Sequence, residues 1–269
     1  MTCDEQDLGR YDKSNTSGRA EDMTLMLALL SLSGSMDMEE LTARLHLETG
    51  MAMLQQGLLE QAEEEFQSAL ETGLEYSEAL LGLGMVSARR SSWTAAEEYY
   101  RRYMRECPED PRGYSRMAEL FLDTGRPDSA VSMADSAFDL SPGDPDVWLL
   151  CGRTRLELED LDEAGNWFSR GVDHGGDTAL ESLVLLASVH RRSGRGHEAR
   201  DLLVPAADAG YSPACWELAK VYLDWEDYMR AEDAMRRYLL LSPDGTYADS
   251  AVLVLEELGE SGEYMETLY

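Results

Sequence analysis

The sequence predicts an all-α fold, a right-handed α-solenoid of about six helix–turn–helix units. The first observation behind this is a repeat, because small residues recur at the same two places in successive segments of about 34 residues. The second is the spacing of apolar residues, which recur every three or four positions as on one face of a helix. The third is the glycine or proline that stands where helices and units would separate.

One segment, residues 77–108, shows the unit most clearly. Gly84 and Ala96 are small where two helices packed about 8–10 Å apart would approach most closely. Pro108 ends the second helix, because proline has no amide hydrogen to donate. The other repeat positions of this segment are Leu80, Leu83, Tyr100 and Tyr103.

Copies of this unit recur along most of the chain. Ala118 lies 34 residues after Gly84, and Ala130 lies 34 residues after Ala96. The period slips beyond Gly176, which stands where a proline would be expected, so the geometry should be least regular there. The paired small residues are Gly50/Ala62, Gly84/Ala96, Ala118/Ala130, Gly152/Ala164, Ala187/Ala199 and Ala219/Ala231.

Residues 43 to about 245 resemble the tetratricopeptide repeat (TPR) family, whose 34-residue pattern is W-x2-L-G-x2-Y…A-x3-F…P. The resemblance implies a non-catalytic scaffold for protein–protein interaction. It also implies that a peptide segment of a partner binds in a concave groove lined by the first helix of each pair. The helix pairs are expected at roughly 43–73, 77–107, 111–141, 145–174, 179–209 and 212–242.

The two ends of the chain are predicted to differ from the array, which spans 38–245. Residues 1–37 predict a disordered leader and a short apolar helix at Met23–Leu32, too short to span a membrane. That helix could cap the array, inhibit its own groove or dock elsewhere, and the sequence leaves the three open. Residues 246–269 predict a capping helix and a tail that frays after Gly259.

Charge and cysteine usage limit the classes of partner and compartment. With 23 Lys and Arg against 53 Asp and Glu, the formal net charge is -30, which argues against nucleic-acid binding through a basic surface. Neither nucleic acid nor membrane insertion is expected. The four cysteines form no C-x-x-C pair, so a reducing, cytoplasmic setting is predicted. They are Cys3, Cys107, Cys151 and Cys215.

No catalytic motif accompanies the four histidines, so the chain is predicted not to be an enzyme. His46, His174, His190 and His197 stand outside any Ser/His/Asp order or H-E-x-x-H motif. We therefore expect no catalytic residue, no metal and no cofactor.

The groove implied by the resemblance contains nearly equal numbers of basic and acidic residues, inside a strongly negative shell. Such a groove favours a segment with apolar anchors and a carboxylate, although acids could equally accumulate on solvated faces. Arg112 and Arg116, one turn apart, could bind a carboxylate through two hydrogen bonds. The predicted partner-binding residues are Leu47, Met51, Leu81, Met85, Arg89, Arg112, Arg116, Arg153, Arg192 and Lys220.

An alternative function uses other surfaces of the same scaffold. The chain could be a regulatory or assembly subunit that acts through its acidic convex surface or its N-terminal segment. Binding of that electrostatic kind should fade as ionic strength rises, whereas binding in an apolar groove should persist.

Overall fold

A computed structural model describes residues 38–73 and 76–266, with side chains up to residue 259. These residues contain thirteen α-helices and no strand, as the sequence predicts. The leader and the Met23–Leu32 segment lie outside the described residues. The helices are α1 (Met38–Gln55), α2 (Leu59–Thr72), α3 (Tyr76–Arg89), α4 (Trp93–Glu106), α5 (Pro111–Asp123), α6 (Pro127–Leu140), α7 (Pro145–Glu157), α8 (Leu161–His174), α9 (Ala179–Arg192), α10 (Gly196–Asp208), α11 (Ser212–Asp224), α12 (Tyr228–Leu241) and α13 (Ala248–Glu266).

The first twelve helices form six sequential pairs, and each pair packs face to face. Their bounds agree closely with the predicted pairs, except that α1 begins earlier, at Met38. The chain divides into two compact units at Glu106 and Cys107. Helices α1–α4 belong to the first unit and α5–α13 to the second, and each unit is described by itself.

The small residues of the repeat are required by aromatic rings packed against them. In the first unit, a Cβ on Gly50 would lie 2.8 Å from Cε1 of Phe66, and one on Gly82 would lie 2.5 Å from the same atom. In the second unit the ring of Phe168 occupies the equivalent space beside Gly152. Both phenylalanines are fully buried, so these contacts set how closely the paired helices approach.

The irregularity predicted near Gly176 has a visible cause. Gly175 and Gly176 have φ angles of 76° and 83°, a left-handed conformation that other residues adopt at a cost. The preceding helix also approaches α9 closely, since a Cβ on Gly171 would lie 2.5 Å from Oγ of Ser182. Glycines therefore replace the usual proline ending at this junction and lengthen it.

Aspartate caps fix where the first helices of the second unit begin. The Asp110 side chain accepts a hydrogen bond of 2.9 Å from the Arg112 N–H, and Asp144 accepts one of 2.9 Å from the Asp146 N–H. A proline follows each cap at the first helical position, where no amide hydrogen is needed. The caps start α5 and α7 at equivalent positions of their repeats, so their residues keep equivalent orientations.

The last helix extends further than the sequence predicts. We expected fraying after Gly259, but α13 continues to Glu266. Glycine weakens a helix interior by about 1 kcal/mol without ending it, and no proline follows. Ala251 packs in the core beside α12, while Val252 and Leu253 stay exposed. Within the described ranges, no helix combines the length and apolarity needed to cross a membrane.

Candidate functional site

In the second unit we call the surface of α5, α7, α9 and α11 the first-helix face, and that of α6, α8, α10 and α12 the second-helix face. Three helices of the first-helix face line a pocket of about 250 Å³. We call this the first-helix pocket. Its lining residues are Leu122, Asp123, Arg153, Leu156, Glu157 and Leu185.

The apolar wall of the first-helix pocket is anchored in the core. Leu156 and Leu185 are half-buried, and both pack against the buried cluster that contains Phe168. Leu122 is half-buried against the neighbouring cluster around Ala118. Because the inner sides of these leucines are already packed, their outer sides present a fixed apolar surface to the pocket.

Arg153 is the open cation of this pocket. Its side chain is exposed, and among the described residues it makes neither an ion pair nor a hydrogen bond. Asp123 and Glu157 stand exposed at the same rim. The guanidinium therefore keeps all five N–H donors for an external oxygen acceptor.

The other four predicted cations of the second unit already hold carboxylates of this chain. Arg112 lies 2.7 Å from Asp110, and Arg116 lies 2.7 Å from Glu119. Arg192 lies 3.0 Å from Glu159, and Lys220 lies 2.5 Å from Glu217. A ligand carboxylate at any of these positions would have to compete with an existing partner.

The remaining five predicted residues lie in the first unit, where most of the apolar ones contribute to the core. Leu81 is only 7% exposed, and Leu47 and Met85 are half-buried against the cluster around Phe66. Met51, at 39% exposure, is the apolar residue there with the most surface left for a ligand. Arg89 places Nη1 3.5 Å from the carbonyl oxygen of Leu54.

Sequence reasoning identified Arg153 but not its whole surroundings. Helical phase also places Asp123, Leu156 and Glu157 at inward positions, whereas Leu122 and Leu185 were taken as core residues. A signal was present, because the pair Leu122-Asp123 recurs 34 residues later as Leu156-Glu157. A repeated leucine–carboxylate pair at the end of successive first helices marks the pocket wall and rim.

A second polar cluster on this face joins α9 to α11. Arg191 Nη1 lies 3.0 Å from Asp224 Oδ2, and Lys220 Nζ lies 2.5 Å from Glu217 Oε1. Arg191 Nε and Glu217 Oε2 are 3.8 Å apart, and both are buried without a hydrogen bond. Glu217 is 9% exposed, which is unusual for a carboxylate.

The second-helix face has a pocket of about 270 Å³ between α10, α11 and α12, which we call the second-helix pocket. Its cations are paired, since Arg237 lies 2.9 Å from Asp208 and Arg230 lies 3.1 Å from Asp227. The lining residues are Val204, Ala207, Asp208, Cys215, Leu218, Tyr222, Arg230, Asp233, Ala234 and Arg237.

The cysteines and histidines have structural surroundings. Burial raises the pKa of the Cys151 thiol to about 12, and burial likewise raises the pKa of Cys215. Burial, followed by the charge of Arg195, lowers the pKa of His190. His46 Nδ1 lies 2.6 Å from Glu65 Oε2. In the residues whose side chains are described, no group of His, Cys, Asp or Glu could hold a metal ion.

Solved structures share this architecture at low sequence identity. A chain of the APC/C hetero-tetramer Cut9–Hcn1 is 18% identical, with a TM-score of 0.70, over 90% of this chain and 46% of its own length. This chain thus spans less than half of that protein. Pseudomonas aeruginosa PilF is 17% identical, with a TM-score of 0.64, over 80% of this chain and 98% of its own.

The type IV pilus biogenesis factor PilW is 13% identical, with a TM-score of 0.65, over 78% of this chain and 98% of its own. Identities of this size support the fold alone. No curated protein matches the chain. The sequence patterns of the tetratricopeptide repeat family match residues 39–111, 121–187 and 180–205. Together with the six helix pairs, these matches show that the chain belongs to the tetratricopeptide repeat family.

Proposed function

The family generally consists of non-enzymatic scaffolds for protein–protein interaction, and this chain is one of them. We propose that it binds a segment of a partner protein on the first-helix face of its second unit. An aliphatic side chain of the partner enters the first-helix pocket, and a neighbouring carboxylate is bound by Arg153.

The observation that carries this proposal is the state of Arg153. An exposed arginine beside three leucines, without a carboxylate of its own chain, is unusual in a protein with a net charge of -30. The four other predicted cations of the same face are each paired. Arg153 is thus the predicted cation that can bind an external carboxylate without first losing a partner.

The size of the first-helix pocket favours a side chain over a whole small molecule. Small-molecule sites generally occupy about 300–1,000 Å³, and this pocket has about 250 Å³. Burying one aliphatic side chain contributes about 1.5–3 kcal/mol, and a hydrogen bond to a charged group contributes a similar amount. Neither suffices alone, so binding requires further contacts along the face.

The rim limits which acidic segments can bind. Asp123 and Glu157 flank Arg153, so a run of several acids would be repelled there and by the charge of the whole chain. A single carboxylate next to an aliphatic residue avoids that repulsion when it lies in register with Arg153. The proposed ligand is therefore an aliphatic–acidic pair within an otherwise uncharged segment.

Selection from a random peptide library on the immobilised protein tests this proposal. The wild type should enrich peptides in which Leu, Ile or Met lies within two residues of Asp or Glu. Arg153→Glu should lose that enrichment, because the guanidinium is replaced by a third acid at the rim. Arg195→Glu, an equal charge change at an exposed position outside the pocket, should retain it. Equal enrichment by both variants would contradict the proposed site.

A second candidate function is favoured by the second-helix pocket. Met229 and Leu240, exposed to 80% and 82%, lie three turns apart on the same side of α12 and flank this pocket. A regulatory or assembly subunit could use this face to bind a partner. Since the surrounding surface is acidic, that binding should weaken strongly between low and physiological ionic strength. Salt-insensitive capture by the second-helix face would contradict its electrostatic basis.

The proposal includes neither nucleic acid nor membrane insertion, and places the protein in the cytoplasm. The free thiols of Cys107, Cys151 and Cys215 support a reducing compartment. Retention of a labelled oligonucleotide by the protein at physiological salt would contradict the part that concerns nucleic acid.

A further inference from the structure

The cluster of Arg191, Glu217, Lys220 and Asp224 contains two polar atoms that want a partner. Arg191 Nε is a donor, Glu217 Oε2 is an acceptor, and both are buried without a hydrogen bond. Their separation of 3.8 Å is too long for a hydrogen bond between them. A buried polar group left in this state costs about 1–3 kcal/mol, and more when it is charged.

Contacts on the opposite sides of the two groups oppose closure of this gap. The other oxygen of Glu217 is held by Lys220 at 2.5 Å, and Arg191 Nη1 is held by Asp224 at 3.0 Å. Glu217 cannot approach Arg191 without drawing away from Lys220, and Arg191 cannot approach Glu217 without drawing away from Asp224. The donor and acceptor thus remain side by side, facing a common neighbour.

We propose that Arg191 and Glu217 form a second subsite on the first-helix face that binds a carboxamide, the side chain of Asn or Gln in the partner segment. The carboxamide N–H donates to Glu217 Oε2, and its oxygen accepts from Arg191 Nε. This subsite rests on the proposed function, because it belongs to the segment that the first-helix pocket anchors.

The charges of the cluster explain why the group is neutral. Two cations and two carboxylates balance one another, so an added Asp or Lys would bring an uncompensated charge to a site where Glu217 is 9% exposed. An aliphatic side chain would leave both orphaned atoms without partners. A carboxamide satisfies both and adds no charge.

Helix geometry sets the spacing between the two subsites. Leu185 lines the first-helix pocket and Arg191 lies six residues later on α9, which corresponds to about 9 Å at 1.5 Å per residue. An extended segment advances about 3.3 Å per residue. The carboxamide is therefore expected about three residues from the aliphatic anchor.

An array of alanine-based peptides with one fixed Leu-Glu pair tests the inference. Every other position is filled in turn by Gln, Asn, Glu, Lys, Ser or Leu, and binding is measured for the full-length protein. Gln or Asn about three residues from the fixed leucine should improve binding about tenfold, the size expected of a hydrogen bond to a charged group. Arg191→Lys, which keeps the charge but removes Nε, should abolish that preference and leave binding of the unsubstituted peptide unchanged.

The outcomes separate this inference from the proposed function. Binding that depends on Arg153 but shows no preference for a carboxamide overturns the second subsite alone. A preference for Glu, Lys or Ser at that position does the same. If no peptide binds, both proposals fail. If Arg191→Lys does not fold, Glu217→Gln replaces it, and unchanged carboxamide preference in that variant also overturns the subsite.

Discussion

The first-helix pocket and the second-helix pocket are nearly equal in size but differ in how their charges are satisfied. Their volumes are about 250 and 270 Å³. In the second-helix pocket Arg237 is bound to Asp208 and Arg230 to Asp227. In the first-helix pocket Arg153 has no partner in the described part of the chain. Volume thus does not distinguish the two as binding sites, whereas the state of the cations does.

The difference shows how an acidic scaffold can keep one site available. With more than twice as many acids as bases, almost any exposed arginine meets a carboxylate, as Arg237 does. Arg153 avoids this because its nearest apolar neighbours are leucines and because Asp123 and Glu157 at the rim do not pair with it. Exposed ion pairs stabilise by only about 0.2–1 kcal/mol, so leaving Arg153 unpaired costs little folding stability.

Charge reversal in each pocket should have opposite consequences. Arg153→Glu is expected to weaken binding of a selected aliphatic–acidic peptide by about 100-fold, because it removes a charge-assisted hydrogen bond and adds repulsion. Arg237→Glu should leave that affinity unchanged and slightly lower the melting temperature. Titration calorimetry and thermal unfolding measure both. Equal losses of affinity would show that the two pockets do not differ as described.

The thiols near the two pockets should respond differently to alkaline pH. Burial raises the pKa of Cys151, which lies on the same helix as Arg153, from its ordinary 9.0 to about 12. Between those values the folded state binds more protons than the unfolded state, so the free energy of unfolding falls as pH rises. From pH 9 to 10.5 the loss should reach roughly 2 kcal/mol.

Denaturant titration at several pH values checks this. Cys151→Ala should show a shallower alkaline slope than the wild type, and Cys215→Ala should lie closer to the wild type. Identical slopes for the wild type and Cys151→Ala would mean that the Cys151 thiol is not shielded by the core.

Alkylation of Cys215 reports whether the second-helix pocket is closed. Cys215 lines this pocket at 1% exposure, so it should react with iodoacetamide more slowly than the half-buried Cys107. Arg237→Ala removes the ion pair with Asp208 and should speed the reaction roughly two- to fivefold. Arg153→Ala should not change it. Peptide mass spectrometry resolves the two cysteines, and a wild-type rate equal to that of Cys107 would mean an open pocket.

The fold could be predicted from the sequence because each repeat position has a local cause. Gly84 and Ala96 identify a close helix crossing, and the prolines and glycines identify the ends of helices. The extent of α13 could not be predicted, because Gly259 weakens a helix without ending it. Local patterns therefore predict where helices pack more reliably than where an exposed helix stops.

The candidate site was predicted only in part, because helical phase does not show which charges find partners. Phase placed Arg112 and Arg153 at equivalent inward positions, yet Arg112 is bound by Asp110, its own helix cap. The difference depends on side-chain positions that spacing does not specify. The same holds for Leu81, whose inward position in the first unit turned out to be buried.

Photo-crosslinking tests the central claim, that the first-helix pocket is the binding site, most directly. A benzophenone amino acid is placed at Glu157 on the rim of the first-helix pocket or at Asp233 on the rim of the second-helix pocket, both of which are exposed. With a selected aliphatic–acidic peptide, we expect a crosslink from position 157 that Arg153→Glu abolishes, and none from position 233. A crosslink from position 233 alone would contradict the claim.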